Sequence, residues 1–253
     1  MKKNIAIIFA GGSGARMGSG IPKQFLEVNG KPIIIHTLEI FEDHPAVDEI
    51  YVACKADGIA KLQKLVKKHL ISKVVNIVPG GATGQDSIYN ALAAAKENNT
   101  DDAVVLIHDG VRPCITAELI EDVLNCVDKY GTAITCSAMF ETPVISRDGV
   151  TVEEVPPRTE FYTAQAPQCF YLGEVLEAHA KTRKENPGYE GIVDTCTLMK
   201  SCGKEVKLVV GPRGNIKVTT PEDLYTFKAM IDYKESVKIF GFGNGEVSSK
   251  LMK

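Results

Sequence analysis

Short apolar runs rich in β-branched residues alternate along the chain with longer segments of helical periodicity. The runs are Ile5–Phe9, Glu49–Ala53, Val74–Val78, Ala103–His108, Ala133–Ala138 and Val206–Val210. They are almost continuously apolar, as are strands that are covered on both faces. The predicted helices are Ile33–Glu42, Gly58–His69, Asp86–Lys96, Ile115–Tyr130, Leu172–Lys184, Asp194–Ser201 and Pro221–Ile231. The alternation predicts a three-layer α/β/α fold with a mostly parallel sheet between two layers of helices.

The length of the chain and the breaks in this alternation predict how it is divided. At 253 residues the chain can bury the core of one large α/β domain. We assign residues 1–232 to this single domain and residues 233–253 to a weakly patterned C-terminal tail. Residues 139–165 interrupt the alternation, and Arg147-Asp148-Gly149 between extended residues indicates a hairpin. An excursion that cannot bury itself is expected to be a protruding β-arm that contacts a second copy of the chain.

The composition disfavours several classes of partner. The formal net charge of −3 gives no general positive field for nucleic acid or for an anionic membrane. No apolar run is long enough to span a bilayer, and Ile5–Ala10 is too short for the core of a signal peptide. The seven cysteines form no C-x-x-C pair and no cluster with histidine, so we expect free thiols in a cytoplasmic protein.

The motif that says most about function follows the first predicted strand, where Ala10 leads into a glycine loop. The loop contains Gly11, Gly12 and Gly14, and the cations Arg16 and Lys23 come shortly after it. Glycines allow backbone N–H groups to approach an anion closely, and the two side chains add full positive charge. This combination is typical of a site for a polyphosphate.

Better-known glycine loops fit this segment less well. A P-loop requires Gly-Lys-Ser/Thr, which does not occur in the chain. A dinucleotide fingerprint that starts at Gly12 would end at Met17, where it requires a glycine. An ordinary strand–helix turn is the structural alternative, but it leaves Arg16 and the Pro22-Lys23-Gln24 segment without a role.

A second glycine loop, Pro79-Gly80-Gly81, follows the third predicted strand, and Ser87 lies in the helix that comes after it. A Gly-Gly segment can lie flat against a nucleobase and contact its edge with backbone groups, and Ser87 can add a hydroxyl contact. The alternative is that Asp86 or Ser87 caps the helix, which is compatible with binding.

A carboxylate and two further cations are expected at the same edge of the sheet. Asp109 ends the fourth predicted strand, Arg112 follows a tight turn, and Lys217 precedes the helix that begins at Thr220-Pro221. Such an aspartate can hold Mg²⁺ against nucleotide phosphates or place an acceptor, and Arg112 can bind a phosphate. The structural alternative is an Asp–Arg pair that merely closes the turn.

Several motifs in order give the chain a family resemblance from Ile5 to about Ile231. They are A-G-G-S-G-A-R-M-G, P-K-Q-F, G-G with D-S further on, H-D-G-V-R-P, an arm with Thr142, R-x8-P-Q beginning at Arg158, and N-I-K-V-T-x-P-E-D-L. The chain resembles the family that contains 2-C-methyl-D-erythritol 4-phosphate cytidylyltransferase and ribitol-5-phosphate cytidylyltransferase. The resemblance implies a Rossmann-like nucleotidyltransferase fold, a homodimer formed through the arm, dependence on Mg²⁺, and CTP as the nucleotide.

The resemblance also implies a role for each matched residue. Arg16, Lys23 and Lys217 would be catalytic cations near the phosphates of CTP. The CTP-binding residues would be Ala10, Gly11, Gly12, Gly14, Gly80, Gly81 and Ser87. Asp109, Arg112, Thr142 and Arg158 would bind the acceptor, with Asp109 also serving the metal.

We therefore predict an enzyme that transfers CMP from CTP to a sugar-alcohol phosphate, with ribitol 5-phosphate favoured by the Ala10-Gly11-Gly12 segment and its neighbours. The first alternative is the methylerythritol phosphate enzyme of isoprenoid biosynthesis. Alternatives of another class are a nucleotide-binding protein without catalysis and a dehydrogenase-type binder that would prefer NAD.

Overall fold

The computed structural model describes residues 2–12, 18 and 20–240 of the chain. Its strands are β1 (Asn4–Ala10), β2 (Glu27–Val28), β3 (Lys31–Pro32), β4 (Glu49–Cys54), β5 (Val74–Pro79), β6 (Val104–Asp109), β7 (Thr132–Ala138), β8 (Tyr162–Tyr171) and β9 (Leu208–Val210). Its helices are α1 (Ile33–Asp43), α2 (Ile59–Lys68), α3 (Gly84–Lys96), α4 (Ala117–Tyr130), α5 (Leu172–Glu185), α6 (Thr195–Ser201) and α7 (Pro221–Phe240). Each predicted strand and helix overlaps one of these elements.

The central sheet has seven strands in the order β5-β4-β1-β6-β8-β7-β9. All of its neighbouring pairs are parallel except those that β8 makes with β6 and with β7. The prediction of a mostly parallel α/β sheet is therefore confirmed. The chain leaves β1 in one direction to β4 and β5 and returns to β6 on the other side, which places a topological switch point between β1 and β6.

Strand β1 shows how the sheet divides the core into two layers. Ile5 and Ile7 pack on the face that is covered by α3, α5 and α6. Ala6 and Ile8 pack on the opposite face, which is covered by α1, α2 and α4. Successive side chains of a strand point to opposite faces, so a strand buried on both sides must be apolar throughout. The predicted three-layer arrangement is confirmed by these two clusters.

Strand β8 is the strand of the central sheet that sequence patterning missed; the two-residue strands β2 and β3, which pair with each other outside that sheet, were not predicted either. Strand β8 lies between β6 and β7 and is antiparallel to both, although Pro167 stands in its middle. Proline weakens a strand assignment because it has no N–H for the ladder. Here the pairing of β7 with β8 shifts register between Ile134 and Cys136, and Thr135 Oγ1 donates to the carbonyl of Pro167 at 2.9 Å. The irregularity accommodates the proline inside the sheet.

Most helix boundaries differ from the prediction by one or two residues, and two of the differences matter for the site or for the tail. Helix α3 begins at Gly84, and its cap is Thr83, whose side chain accepts from the N–H of Asp86. Asp86 is thus the reciprocal partner of a capping box and does not cap the helix itself. Helix α7 continues to Phe240, so the first part of the expected tail is helical. The rest of that tail, residues 241–253, lies outside the described residues.

The excursion between β7 and β8 is shorter than predicted, because the last residues of the expected arm belong to β8. Its base is closed by a hydrogen bond from Met139 N–H to the carbonyl of Phe161 at 3.1 Å, and Ile145 and Glu154 form an isolated β-bridge. At the Asp-Gly turn the Asp148 carboxylate accepts from two backbone N–H groups. Val150, which donates one of them, is 90 % exposed.

All seven cysteines are free, as the absence of paired spacing predicts. Among the residues that the structure describes, no helix has the length and apolar character required to cross a membrane.

Candidate active site

A cleft of about 800 Å³ opens at the carboxyl ends of β1, β4, β5 and β6. Its walls come from the segments that follow these strands, which are Phe9–Gly12, Lys55–Asp57, Gly80–Gly84 and Asp109, together with Lys23, Gln24, Ser87, Val111 and Lys217. Ligands of open α/β sheets bind at this edge and next to a switch point. The prediction that the glycine loops and charged motifs meet at one edge is therefore matched by the geometry.

Ser87 connects the two glycine loops. Its hydroxyl accepts from the N–H of Gly81 at 3.1 Å and donates to the carbonyl of Thr83 at 3.0 Å. A Cβ on Gly11 or on Gly80 would lie 3.1 Å or 2.9 Å from the same oxygen. Ser87 is buried, and its hydroxyl holds the loops that line the cleft in place.

The loops leave little room for any other residue type. A Cβ on Gly81 would lie 2.1 Å from the Cβ of Asp86, which is fixed by the capping box of α3. By contrast, Gly84 has open space around the position of a Cβ. The backbone of Gly80 and Gly81 is thereby held against the start of α3, and their N–H groups donate to the carbonyl of Cys54 and to Ser87 Oγ.

The Pro22-Lys23-Gln24 segment is anchored to the end of β1. Gln24 is buried, and its Nε2 donates to the carbonyl of Ala10 at 3.0 Å. This anchor brings Lys23 to the wall of the cleft, where its Nζ lies 3.3 Å from the carbonyl oxygen of Val218. The sequence prediction used Gln24 only as part of a motif, and its role in positioning Lys23 emerges from the structure.

Asp109 lies between two cations, Arg112, which is three residues further along the chain, and Lys217, which comes from a distant segment. Its Oδ1 lies 2.6 Å from Lys217 Nζ, and its Oδ2 accepts from Arg112 Nε at 3.2 Å. The side chains of Asp109 and Arg112 are each 8 % exposed, whereas that of Lys217 is 41 % exposed. The three predicted residues are thus brought together.

The surroundings of Asp109 decide its charge. Burial alone would raise the pKa of Asp109, but the charges of Lys217 and Arg112 outweigh burial and hold that pKa below its ordinary value. The neighbouring His108 is fully buried, and burial lowers the pKa of its imidazole to about 4. The site therefore presents an ionised carboxylate beside a neutral imidazole.

Asn215 also joins the cluster, and the sequence prediction assigned it no role. Arg112 Nη1 donates to the backbone carbonyl of Asn215 at 2.6 Å, and the buried Asn215 side chain donates to the carbonyl of Ala166 at 2.8 Å. The N–H of Val218 donates to the carbonyl of Val111 at 2.8 Å. These bonds tie the Lys217 segment to the turn after β6.

Two of the predicted site residues, Thr142 and Arg158, are not in this cleft. Thr142 and Arg158 are exposed on the arm, line neither this cleft nor the cavity beside it, and Arg158 Nη1 instead donates to the carbonyl of Phe140 at 3.1 Å. Gly14 and Arg16 lie outside the described residues.

Asp109 is the residue of this site that could bind a metal ion. Within residues 2–12, 18 and 20–240, no group of three or more His, Cys, Asp or Glu side chains could hold an ion by protein ligands alone. Mg²⁺ commonly takes one or two carboxylates and completes its ligands with water and substrate phosphates. The ionised Asp109 at the wall of the cleft fits that pattern, with one carboxylate from the protein.

Comparison with known proteins gives consistent results over nearly the whole chain. Residues 4–232 match the model of the family described as IspD, 2-C-methyl-D-erythritol 4-phosphate cytidylyltransferase. A ribitol-5-phosphate cytidylyltransferase of Streptococcus agalactiae serotype III is 45% identical over 239 residues, which cover 94% of this chain and 99% of the relative. A 2-C-methyl-D-erythritol 4-phosphate cytidylyltransferase of Clostridium botulinum is 40% identical over 224 residues, or 88% of this chain and 95% of the relative.

Solved structures agree with these relatives. The crystal structure of 4-diphosphocytidyl-2C-methyl-D-erythritol synthase from Anaerococcus prevotii superimposes with a TM-score of 0.78 at 28% identity. The match covers 91% of this chain and 96% of that one.

Proposed function

Because the chain belongs to the IspD family of cytidylyltransferases, we propose that it transfers CMP from CTP to ribitol 5-phosphate and releases pyrophosphate. The observation that carries the catalytic part is the buried Asp109 between Lys217 and Arg112 at the wall of a cleft bounded by two glycine loops. The choice of acceptor rests on the relatives, since those named for ribitol 5-phosphate are 45% identical and match more of the chain than those named for the methylerythritol phosphate.

The glycine loops suit the donor. Gly11 and Gly12 follow β1 where a triphosphate would approach the backbone, and Gly80 and Gly81 provide a flat wall for the cytosine and ribose. Lys23 and Lys217 lie on the wall of the same cleft. We assign Arg16, Lys23 and Lys217 to the stabilisation of the negative charge that develops on the phosphates.

The reaction follows from these placements. A phosphate oxygen of the acceptor attacks the α-phosphorus of CTP, a new P–O bond forms, and the bond from the α-phosphorus to the bridging oxygen of the β-phosphate breaks. The electron pair of that bond leaves with pyrophosphate. A phosphate monoester is already a nucleophile near neutral pH, so the site needs positioning and charge stabilisation rather than a strong base. His108, neutral and fully buried, is accordingly not assigned to proton transfer.

We also propose Mg²⁺ as the metal and Asp109 as its protein ligand. When bound, Mg²⁺ supplies charge neutralisation of the nucleotide phosphates. Arg112 keeps Asp109 ionised and oriented through its Nε contact, and Lys217, which is more exposed than Arg112, can reach a phosphate.

The arm supports a homodimer. It carries several exposed apolar side chains, namely Phe140, Val144, Val150, Val152 and Val155. Exposed apolar groups of this kind on one excursion indicate a surface that another protein covers. We propose that the arms of two copies pair, and that Thr142 and Arg158, which lie outside the cleft of their own chain, bind the acceptor in the partner's cleft. We place the protein in the cytoplasm, since all seven cysteines are free.

The test is pyrophosphate release with CTP and Mg²⁺, run in parallel with ribitol 5-phosphate, with 2-C-methyl-D-erythritol 4-phosphate and without an acceptor. We expect a higher kcat/KM with ribitol 5-phosphate and almost no release without an acceptor. A higher kcat/KM with the methylerythritol phosphate would overturn the acceptor. Binding of CTP without turnover on any phosphorylated polyol would favour a nucleotide sensor, and thermal stabilisation by NAD but not by CTP would favour a dehydrogenase-type binder.

A further inference from the structure

A second cavity of about 170 Å³ adjoins the main cleft and has no role in the function so far. The two cavities share the residues Phe9, Gly84, Asp109 and Lys217. Beyond this shared wall, the polar side chains that line the smaller cavity are Gln85, Gln165, Gln168, Asp194, Thr195 and Arg112. Together these side chains carry no net positive charge. Apolar groups of Ile88 and Ile107 complete it.

Two of the lining side chains have buried polar atoms without partners. Gln85 Oε1 and Thr195 Oγ1 find no hydrogen-bond partner among the described residues, and the two residues are 4 % and 1 % exposed. Buried polar atoms in proteins are nearly always paired, so each unpaired one requires an explanation. Both residues line the same cavity.

The other polar side chains are held rigidly by the protein. Gln168 donates to Asp194 Oδ2 at 2.9 Å and accepts from the N–H of Cys196 at 2.8 Å. Asp194 Oδ1 caps α6 by accepting from the N–H of Thr197 at 2.8 Å. Gln165 Oε1 accepts from Asn215 Nδ2 at 3.2 Å. The cavity therefore has fixed polar walls.

We propose that Gln85 and Thr195 bind hydroxyl groups on the carbon chain of the acceptor and so determine its class as a phosphorylated polyol. This inference rests on the proposed function, since the acceptor's phosphate must reach the Asp109–Lys217 edge that the two cavities share. The carbon chain of a polyol, which would lead away from that edge, is neutral. It suits the part of the cavity beyond Asp109, Arg112 and Lys217, where the lining carries no net positive charge. Its O–H groups can donate to Gln85 Oε1 and exchange a hydrogen bond with Thr195 Oγ1, while its carbons contact Ile88 and Ile107.

The test compares two substitutions at one position. Thr195→Val removes only the hydroxyl at nearly constant volume, and Thr195→Ser keeps a hydroxyl. We expect Thr195→Val to raise the KM for ribitol 5-phosphate about five- to tenfold, the effect of one neutral hydrogen bond, with the KM for CTP unchanged. Thr195→Ser should recover most of the loss. Gln85→Leu should act in the same direction, as an independent variant.

A control separates binding from packing. Thr182 is a buried threonine on α5 that lines neither cavity, so Thr182→Val should leave the acceptor KM unchanged. Because the Thr195 hydroxyl has no partner within the described residues, Thr195→Val should not lower the melting temperature. Monodeoxy analogues of ribitol 5-phosphate give a second readout, since the analogue that lacks the contacted hydroxyl should be insensitive to Thr195→Val.

The outcomes distinguish this inference from the proposed function. If the wild type prefers another phosphorylated polyol and Thr195→Val raises its KM, the acceptor named above is wrong and the subsite stands. If ribitol 5-phosphate is the acceptor but Thr195→Val and Gln85→Leu both keep its wild-type KM, the subsite is wrong. If no acceptor supports turnover, calorimetric titration with ribitol 5-phosphate decides, and no binding, or equal Kd values for the wild type and Thr195→Val, overturns the subsite.

Discussion

Replacement of Gly81 by alanine is the most direct test of the second glycine loop. The added Cβ would lie 2.1 Å from the Cβ of Asp86 and 3.2 Å from its backbone carbon. Non-bonded carbons pack at about 3.5–4.0 Å, so one of the two segments must move by more than about 1 Å. Asp86 cannot give way cheaply, because its side chain accepts from the N–H and the hydroxyl of Thr83 in the capping box.

Overpacking of this kind costs about 1–3 kcal/mol of unfolding free energy. For a chain of this size, a loss of about 2 kcal/mol corresponds to a melting temperature lower by about 4–8 °C. The displaced loop should also raise the KM for CTP, with a total loss in kcat/KM of about 10²-fold for a shift near 1 Å. Gly84→Ala is the matched control, because nothing lies within 4 Å of its Cβ position and Gly84 begins α3.

The assays are thermal unfolding and steady-state kinetics of pyrophosphate release for both variants. Gly84→Ala should be as stable as the wild type or slightly more stable, since alanine favours a helix over glycine by up to about 1 kcal/mol. If Gly81→Ala matched Gly84→Ala in melting temperature and in KM for CTP, the steric argument and the role given to this loop would both be refuted.

The other predictions concern the Asp109 cluster and the arm. Lys217→Ala should lower kcat about 10²–10³-fold with little loss of stability, because this side chain is 41 % exposed; a kcat within about threefold of the wild type would exclude a catalytic role. Arg112→Ala should cost about 3–5 kcal/mol in urea unfolding and raise the KM of the acceptor, since it removes the buried partner of Asp109; an unchanged acceptor KM would argue against a role for Arg112 in acceptor binding. The low folded pKa of Asp109 adds stability above the unfolded pKa of about 4, and this is lost as pH falls through the folded value. The gap in unfolding free energy between the wild type and Asp109→Asn should therefore be constant above about pH 5 and narrow as the pH falls below about 4, and a gap that stays constant at low pH would contradict the assigned charge. Val150→Asp with Val152→Asp should lower the mass measured by light scattering from dimer to monomer, and an unchanged mass would exclude the arm as the interface.

The parts of the fold that the sequence predicted share a physical cause. Strands β1 and β6 are apolar on every residue of their centres because both faces of the sheet are covered, and this pattern is visible without coordinates. The stripe of α4 is equally plain, and its members Leu119, Ile120, Val123, Leu124 and Val127 are all buried. Local periodicity is sufficient to predict a strand or helix whose buried side chains are all apolar.

Strand β8 was missed because its partners are distant and its local signals conflict. Its sequence contains Pro167 and the polar residues Gln165 and Gln168, which together read as a loop. The strand exists because β6 and β7 supply ladders on both of its edges, and because the register shift accepts the proline. Tertiary context overrode local propensity here. The polar residues that obscured the strand are the ones that line the smaller cavity.

The candidate site also has one part that could be predicted from the sequence and another part that could not. The charged and glycine motifs follow strands, so their meeting at one edge could be predicted from topology alone. Gln24, Asn215 and Thr195 could not be found in this way, because each acts through a hydrogen bond, or through the lack of one, that depends on packing between segments far apart in the chain. A buried amide or hydroxyl has no periodic signature.

The unequal exposure of the two cations beside Asp109 suggests how they divide the work. Arg112 is enclosed and holds two oxygens at once, the Asp109 carboxylate and the carbonyl of Asn215, so it cannot leave without exposing both. Lys217 has a single flexible stem, is far more exposed, and contacts the other carboxylate oxygen. When a phosphate enters the cleft, Lys217 can turn to it while Arg112 keeps the carboxylate ionised. On the proposed function, this movement would release Asp109 Oδ1 for the metal ion, so that the same three residues would serve both the empty and the loaded site.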